Sequence, residues 1–366
     1  MPVTKLSISP SAGIDQYTLI NEKKTLAVMV LNYGGIITHI LTPDKNGAIK
    51  DVVLGFDNYE AYQNPANPYF GALIGRFANR IGEGKFTVDG ENYNLAVNNG
   101  PNALHGGIKG FDKCIWDVTV LSESPASIRL DLVSPDGDQN YPGTLTTSVT
   151  YTVTDENTLE ISYHATTDKD TIVNLTNHTY FNLAGLDLDP TILGHEVTMT
   201  NDVKGTLALD ENSLPTGKKL DFKDAPWFDF TGSNAGTPIG ARINCLPASH
   251  GYDHPYIIHE DYKTDTSSLP LRKAATIHAP ETGISLDFAT TEPGFQFYIG
   301  GWITPGALTG TKYQKNAPIG QHAGFCLESQ RPPDAVNKPQ WRSSVLLQKG
   351  DVYASKTLFN FYVRSD

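Results

Sequence analysis

Apolar residues recur every second position along most of this chain. Leu26, Val28 and Val30 share one face of a run that stops at the turn-prone Asn32-Tyr33-Gly34-Gly35. Phe86 and Val88 precede Asp89-Gly90, and Tyr93 and Leu95 follow, which predicts a hairpin because Asp-Gly supplies the positive φ of a tight turn. Ile128, Leu130 and Leu132 alternate before the turn-rich Ser134-Pro135-Asp136-Gly137-Asp138. Val149, Tyr151 and Val153 are expected to pair with Leu159, Ile161 and Tyr163 across Asp155-Glu156-Asn157. Near the end, Tyr353, Ser355, Thr357, Phe359 and Phe361 fall on one face, with Leu358 and Tyr362 on the other, which predicts a strand buried on both sides.

Helical periodicity is scarce. Asp57 to Gln63 could form one turn of helix, and no stretch of period 3.6 exceeds about ten residues. Strands spaced about every 8–12 residues imply a sandwich or barrel, and a large antiparallel all-β sandwich is expected. At roughly 100–200 residues per domain, 366 residues allow one large domain or two to three ordinary ones. No compositional break, linker or internal repeat divides the chain, so a single domain over 1–366 is expected. The 33 glycines and 23 prolines are scattered, as a turn-rich fold requires.

Charge narrows the partners. A formal net charge of −12 disfavours nucleic acid and anionic membranes, and no basic run with interleaved aromatics occurs. No segment approaches the about 18 apolar residues of a membrane span, and no signal-peptide pattern opens the sequence, so a cytoplasmic location is expected. Cys114, Cys245 and Cys326 are odd in number and lack CxxC spacing, which points to free thiols rather than a disulfide framework or zinc site. Sequons at Asn174 and Asn177 are read as chance matches, since they fall among the candidate active-site residues.

Nucleotide-binding motifs of the GxGxxG or GxxxxGK[ST] type are missing, as is the GxSxG nucleophile elbow. His195-Glu196 opens a zinc-protease pattern, but Met199 stands where its second histidine belongs. Asp253 between His250 and His254 could evoke a metal, yet histidines four apart face together only on a helix, and Gly251 and Pro255 oppose one. No cofactor and no metal are expected, so any chemistry must come from polar side chains. These concentrate in GRFANRI (75–81) with NALHGG (102–107), in NLTNHTYFNL (174–183), in FCLESQRPPD (325–334) and in GYDH (251–254).

Together with TTEPGFQFY (290–298) and LESQRPPDAVN (327–337), and in this order, these stretches resemble the aldose 1-epimerase (galactose mutarotase) family over nearly the whole chain. The resemblance implies the family's galactose mutarotase-like supersandwich and the interconversion of α and β anomers of a free aldohexose such as glucose or galactose. It implies His178 as general acid and Glu328 as general base. Asn79, Arg80, His105, Asp253 and Gln296 fall on the family's substrate-binding positions. A small sugar is then the partner, with a monomer or homodimer as the assembly.

These residue types suit the reaction. A base must take the anomeric hydroxyl proton while an acid protonates the ring oxygen, and the roles reverse on closure. A carboxylate is ionised at neutral pH, and an imidazole has both forms within reach. Asp253 can accept from hydroxyls, Arg80, Asn79 and Gln296 can donate, and Phe77, Tyr180 and Trp302 are expected to stack on the sugar. Two departures stand out. Arg331 and Pro332 replace the histidine and phenylalanine common after this motif, and the segment from Gly300 to Gly324 is longer than usual; both are expected at the pocket rim. Three other readings compete: a hexose-6-phosphate epimerase using Arg76, Arg80 and Arg331, a glycoside hydrolase pairing Asp253 with Glu328, and a non-catalytic sugar-binding protein.

Overall fold

The computed structural model describes residues 2–246 and 250–364. Its backbone is nearly all strand and turn, and the helix expected near Asp57 is one turn, Tyr59–Tyr62, capped by the Asn58 side chain accepting from the Ala61 N–H. Three antiparallel sheets carry the architecture. The first is a five-stranded meander in chain order: Val3–Ser9, Ile14–Ile20, Ala27–Leu31, Ile37–Pro43 and Ile49–Asp51. The second has nine strands, and the third runs Pro215–Leu220, Gly205–Leu209, Asp253–Ile257, Gly294–Tyr298 and Cys326–Gln330.

Local sequence accounts for the pairings. Asp89 and Gly90 both adopt positive φ, 53° and 80°, closing the hairpin of Lys85–Val88 with Glu91–Asn94. Val149 opposes Tyr163, Tyr151 opposes Ile161, and Val153 opposes Leu159, the register that the alternation predicts. The strand Tyr353–Val363 runs through the middle of the nine-stranded sheet, between Thr158–Thr167 and Ile284–Thr290.

That strand corrects one expectation. Its Tyr353, Ser355, Thr357, Phe359 and Phe361 are buried, but Leu358 is only half-buried and Tyr362 is exposed. These two share their face with Lys356 and Asn360, and among the described residues neither packs against an apolar cluster. The main core draws on all three sheets, from Val3 and Val28 through Tyr151 and Ile161 to Phe297 and Phe361. The segment Gly300–Gly324 meets its expected place at the cleft through Trp302 alone, and its middle is held elsewhere. Thr311 Oγ1 donates to Asp51 Oδ2 at 3.0 Å, and Gln314 Nε2 donates to the Asp51 and Val53 carbonyls, so the segment is pinned to the edge strand Ile49–Asp51.

Candidate active site

A cleft of about 340 Å3 opens where the third sheet meets the loops that follow Ile74 and Leu104. Asn79, Arg80, His105, His178, Asp253, Gln296 and Glu328 all line it. Three come from neighbouring strands of one sheet. Gln296 is directly opposite Glu328, and Asp253 is opposite Tyr298 on the next strand over. Because side chains alternate along a strand, Gln296 and Tyr298 project to the same face.

His178 is delivered by a short bridge, Thr176–Asn177 against Leu73–Ile74. Its N–H donates to the Ala72 carbonyl, and its own carbonyl accepts from Gly71 N–H, fixing the backbone on both sides. Asn177 completes the brace: its Nδ2 donates to Gly71 O and to the Tyr151 hydroxyl. The imidazole is stacked between Tyr180, 5.0 Å between centroids, and Tyr69, 5.9 Å, with His105 and Tyr298 edge-on. Nε2 lies 3.6 Å from Glu328 Oε1, and Nδ1 lies 3.6 Å from Cys326 Sγ. Burial holds the imidazole pKa down to about 4.

Glu328 is 2% exposed, and its Oε2 has no hydrogen-bond partner among the described residues. Burial first, and then the Asp253 carboxylate, push its pKa well above the ordinary carboxyl range, while Arg80 opposes them. Burial therefore favours the pair with one proton between them and no net charge.

Asn79 and His105 clasp one another with left-handed backbones, φ 62° and 50°. His105 N–H donates to Asn79 O, and Asn79 N–H donates to His105 Nδ1 at 3.2 Å. Accepting at Nδ1 leaves the neutral ring with its proton on Nε2. Burial and then the neighbouring His178 keep this ring neutral. Gly106 permits the approach, since a Cβ there would lie 1.9 Å from the Gly75 carbonyl oxygen. Arg80 is aimed by Nε donating to Asn99 Oδ1 at 2.9 Å.

Other expected residues lie elsewhere. Phe77 is in a separate apolar cluster with Ile81, Phe86 and Tyr141 and does not reach the cleft. Tyr180 lines the cleft, but its ring is occupied by His178 and its hydroxyl donates to Pro68 O. Trp302, 61% exposed and stacked on His250, is the aromatic ring open to a ligand and the one residue of Gly300–Gly324 that lines the cleft. Arg76 is buried against Ser134, Pro135 and Pro142. Arg331 is fully buried, ion-paired with Glu292 and donating to the Thr264 carbonyl, and it does not line the cleft. Arg80 is thus the only lysine or arginine among the lining residues, which removes the cluster that a phosphate would need.

Sequence reasoning missed Tyr69, Tyr298 and the turn Glu211-Asn212-Ser213. Tyr298 was within reach, two positions from Gln296 on a strand. Tyr69 was not, since its left-handed φ of 66° is unusual for an aromatic residue.

Among the described residues, one group could hold an ion: His178, Cys326 and Glu328, with ligand atoms within 4.8 Å of one another. The thiol faces Nδ1 and the carboxylate faces Nε2. Opposite edges of one ring cannot both serve a single ion, so the group does not fit a metal centre.

The family model for aldose 1-epimerase matches residues 15–360. The chain belongs to the aldose 1-epimerase family. It is 42% identical to the galactose mutarotase of Bos taurus, over 92% of each chain, and 33% identical to the aldose 1-epimerase of Escherichia coli K12, over 97% of each. Among solved structures it resembles an aldose epimerase homologue from C. elegans, with a TM-score of 0.82 and 26% identity over 99% of both chains. The galactose 1-epimerase of Lactobacillus acidophilus superposes with a TM-score of 0.78 at 27% identity over 98% of both. The family members share the all-β sandwich. Among the described residues, no helix is long and apolar enough to cross a membrane.

Proposed function

We propose that this protein interconverts the α and β anomers of free aldohexoses such as glucose and galactose, with Glu328 as base and His178 as acid. The observation that supports this reading is the 3.6 Å approach of His178 Nε2 to Glu328 Oε1 on the floor of an open cleft. The anomeric hydroxyl and the ring oxygen are borne by the same carbon, so an acid and a base this close can serve both at once.

Ring opening moves one proton from the anomeric hydroxyl to Glu328 and another from His178 Nε2 to the ring oxygen. The carbonyl carbon then turns about its bond to the next carbon, and closure returns both protons in reverse. The pair carries one proton before and after, and the charge-neutral arrangement reached on opening is the one that burial favours. Asn79, Arg80, His105, Asp253 and Gln296 hold the hydroxyls. His105, a neutral donor at Nε2, supplies a hydrogen bond without repelling the imidazolium of His178. We read the chain as a single domain, a reading supported by a main core that draws residues from Val3 through Phe361.

Polarimetry tests the activity. Freshly dissolved α-D-glucose and α-D-galactose should relax to their usual end points faster with the protein present. Unchanged rates with folded protein, alongside calorimetric binding of the sugars, would replace the enzyme with a binding protein.

A further inference from the structure

Two amides and a carboxylate form a hydrogen-bonded chain across the third sheet at the cleft. Gln330 Nε2 donates to Gln296 Oε1 at 3.2 Å, and Gln296 Nε2 donates to Asp253 Oδ1 at 2.6 Å. The register explains the diagonal: Gln296 opposes Glu328 on one neighbouring strand and Pro255 on the other, so Gln330 and Asp253 sit to either side of it. Gln330 is 1% exposed and does not line the cleft, whereas Gln296 and Asp253 do.

Each link constrains the next. A carboxylate can only accept, so the Gln296 N–H group must face Asp253. Its carbonyl oxygen must then find a donor, and Gln330 is the one that reaches it. The second N–H of Gln296 stays available to the cleft, and Asp253 keeps its second oxygen. Gln330 gains little for itself, because its own Oε1 has no hydrogen-bond partner among the described residues. An orphaned buried acceptor is costly, and strand pairing alone would not require an amide there.

We propose that Gln330 is a positioning residue for sugar recognition: it fixes which way the Gln296 amide lies, so that the cleft presents an N–H donor from Gln296 beside a carboxylate acceptor from Asp253. A sugar hydroxyl, which can accept and donate together, matches that pair. The inference rests on the reading of Asp253 and Gln296 as sugar contacts.

Steady-state polarimetry of galactose and glucose with Gln330→Met, Gln330→Glu, Gln296→Leu and Asp253→Asn tests it. Loss of one hydrogen bond in the chain should raise KM about three- to ten-fold in Gln330→Met, with kcat changed by about two-fold or less. In Gln330→Glu the introduced carboxylate claims the second N–H of Gln296, so KM should rise further. Lowering the pH protonates that carboxyl, lets it donate to Gln296 Oε1, and should bring the ratio of variant to wild-type KM back down. Neither Gln330 change should add to Gln296→Leu in the double variants. If Gln296→Leu and Asp253→Asn raise KM but both Gln330 variants match wild type, Gln330 has no positioning role. If Gln296→Leu and Asp253→Asn leave KM untouched, the sugar-contact reading itself fails. Should Gln330→Met not fold, Gln330→Glu decides alone, and a KM ratio independent of pH overturns the proposal.

Discussion

His178 Nε2 and Glu328 Oε1 are 3.6 Å apart, and both side chains are almost completely buried although they form the floor of an open cleft. The gap is too long for a hydrogen bond and short enough for one sugar carbon's two oxygens to engage both groups. Replacing either partner should therefore stop both ring opening and closure. His178→Asn and Glu328→Gln are each expected to lower kcat by roughly 10²–10⁴ without a matching rise in KM. A polarimetric kcat within about ten-fold of wild type in either variant would remove that residue from the acid–base pair.

The pH profile should carry the mark of burial. A second proton on the pair abolishes the base, and it binds His178, whose pKa burial lowers from an ordinary 6.5 to about 4. Activity should hold as pH falls through 6.5 and decline only near pH 4. Glu328 is shifted the other way, so the pair keeps its working proton well above the ordinary carboxyl range. An acid limb of kcat/KM centred near 6.5 would show that His178 is solvated in the working enzyme.

Asp51 offers a test of stability rather than catalysis. It is fully buried at the anchor of Gly300–Gly324, facing His39, which is also within 3.8 Å of Asp57. Burial raises the Asp51 pKa from 3.8 to about 8. Between those values the unfolded chain is ionised while the folded one retains its proton, so this group's contribution to stability declines as pH rises. Asn at this position carries no such penalty. The Tm of Asp51→Asn relative to wild type should climb between pH 4 and pH 8, and a difference that ignores pH would mean that Asp51 is ionised in the folded protein.

Arg331 and Glu292 form a buried ion pair, with the guanidinium 4.0 Å above the Tyr353 ring. Arg331→Met leaves Glu292 uncompensated and should cost about 3–5 kcal/mol of stability by urea unfolding. Its KM for sugars should change by about two-fold or less. A large rise in KM at undiminished stability would return Arg331 to the binding site.

Much of this architecture was legible because its determinants are local. Asp89-Gly90 dictates a hairpin, and the alternation around Tyr151 and Ile161 dictates a register. The seven candidate site residues came from motif resemblance, and all seven line one cleft. What the sequence withheld is direction. Phe77 lies two positions from Asn79 yet packs in the apolar cluster of Ile81, Phe86 and Tyr141. Arg76 and Arg331 display charge in the sequence, but not that carbonyls and Glu292 absorb it. Leu358 and Tyr362 are apolar, yet hydrophobicity alone does not say which side of a sheet another layer will cover.

The strand Tyr353–Val363 has a consequence for biosynthesis. It joins Thr158–Thr167 to Ile284–Thr290, and the Asn360 contact with Thr158 spans 202 residues. During translation, both neighbouring strands wait with one bare edge each until Tyr353–Val363 leaves the ribosome. Such edges are templates for pairing with other chains, and closure over so long a loop is slow. The nascent protein is thus exposed to aggregation through the interval between synthesis of Thr158–Thr167 and synthesis of Tyr353–Val363.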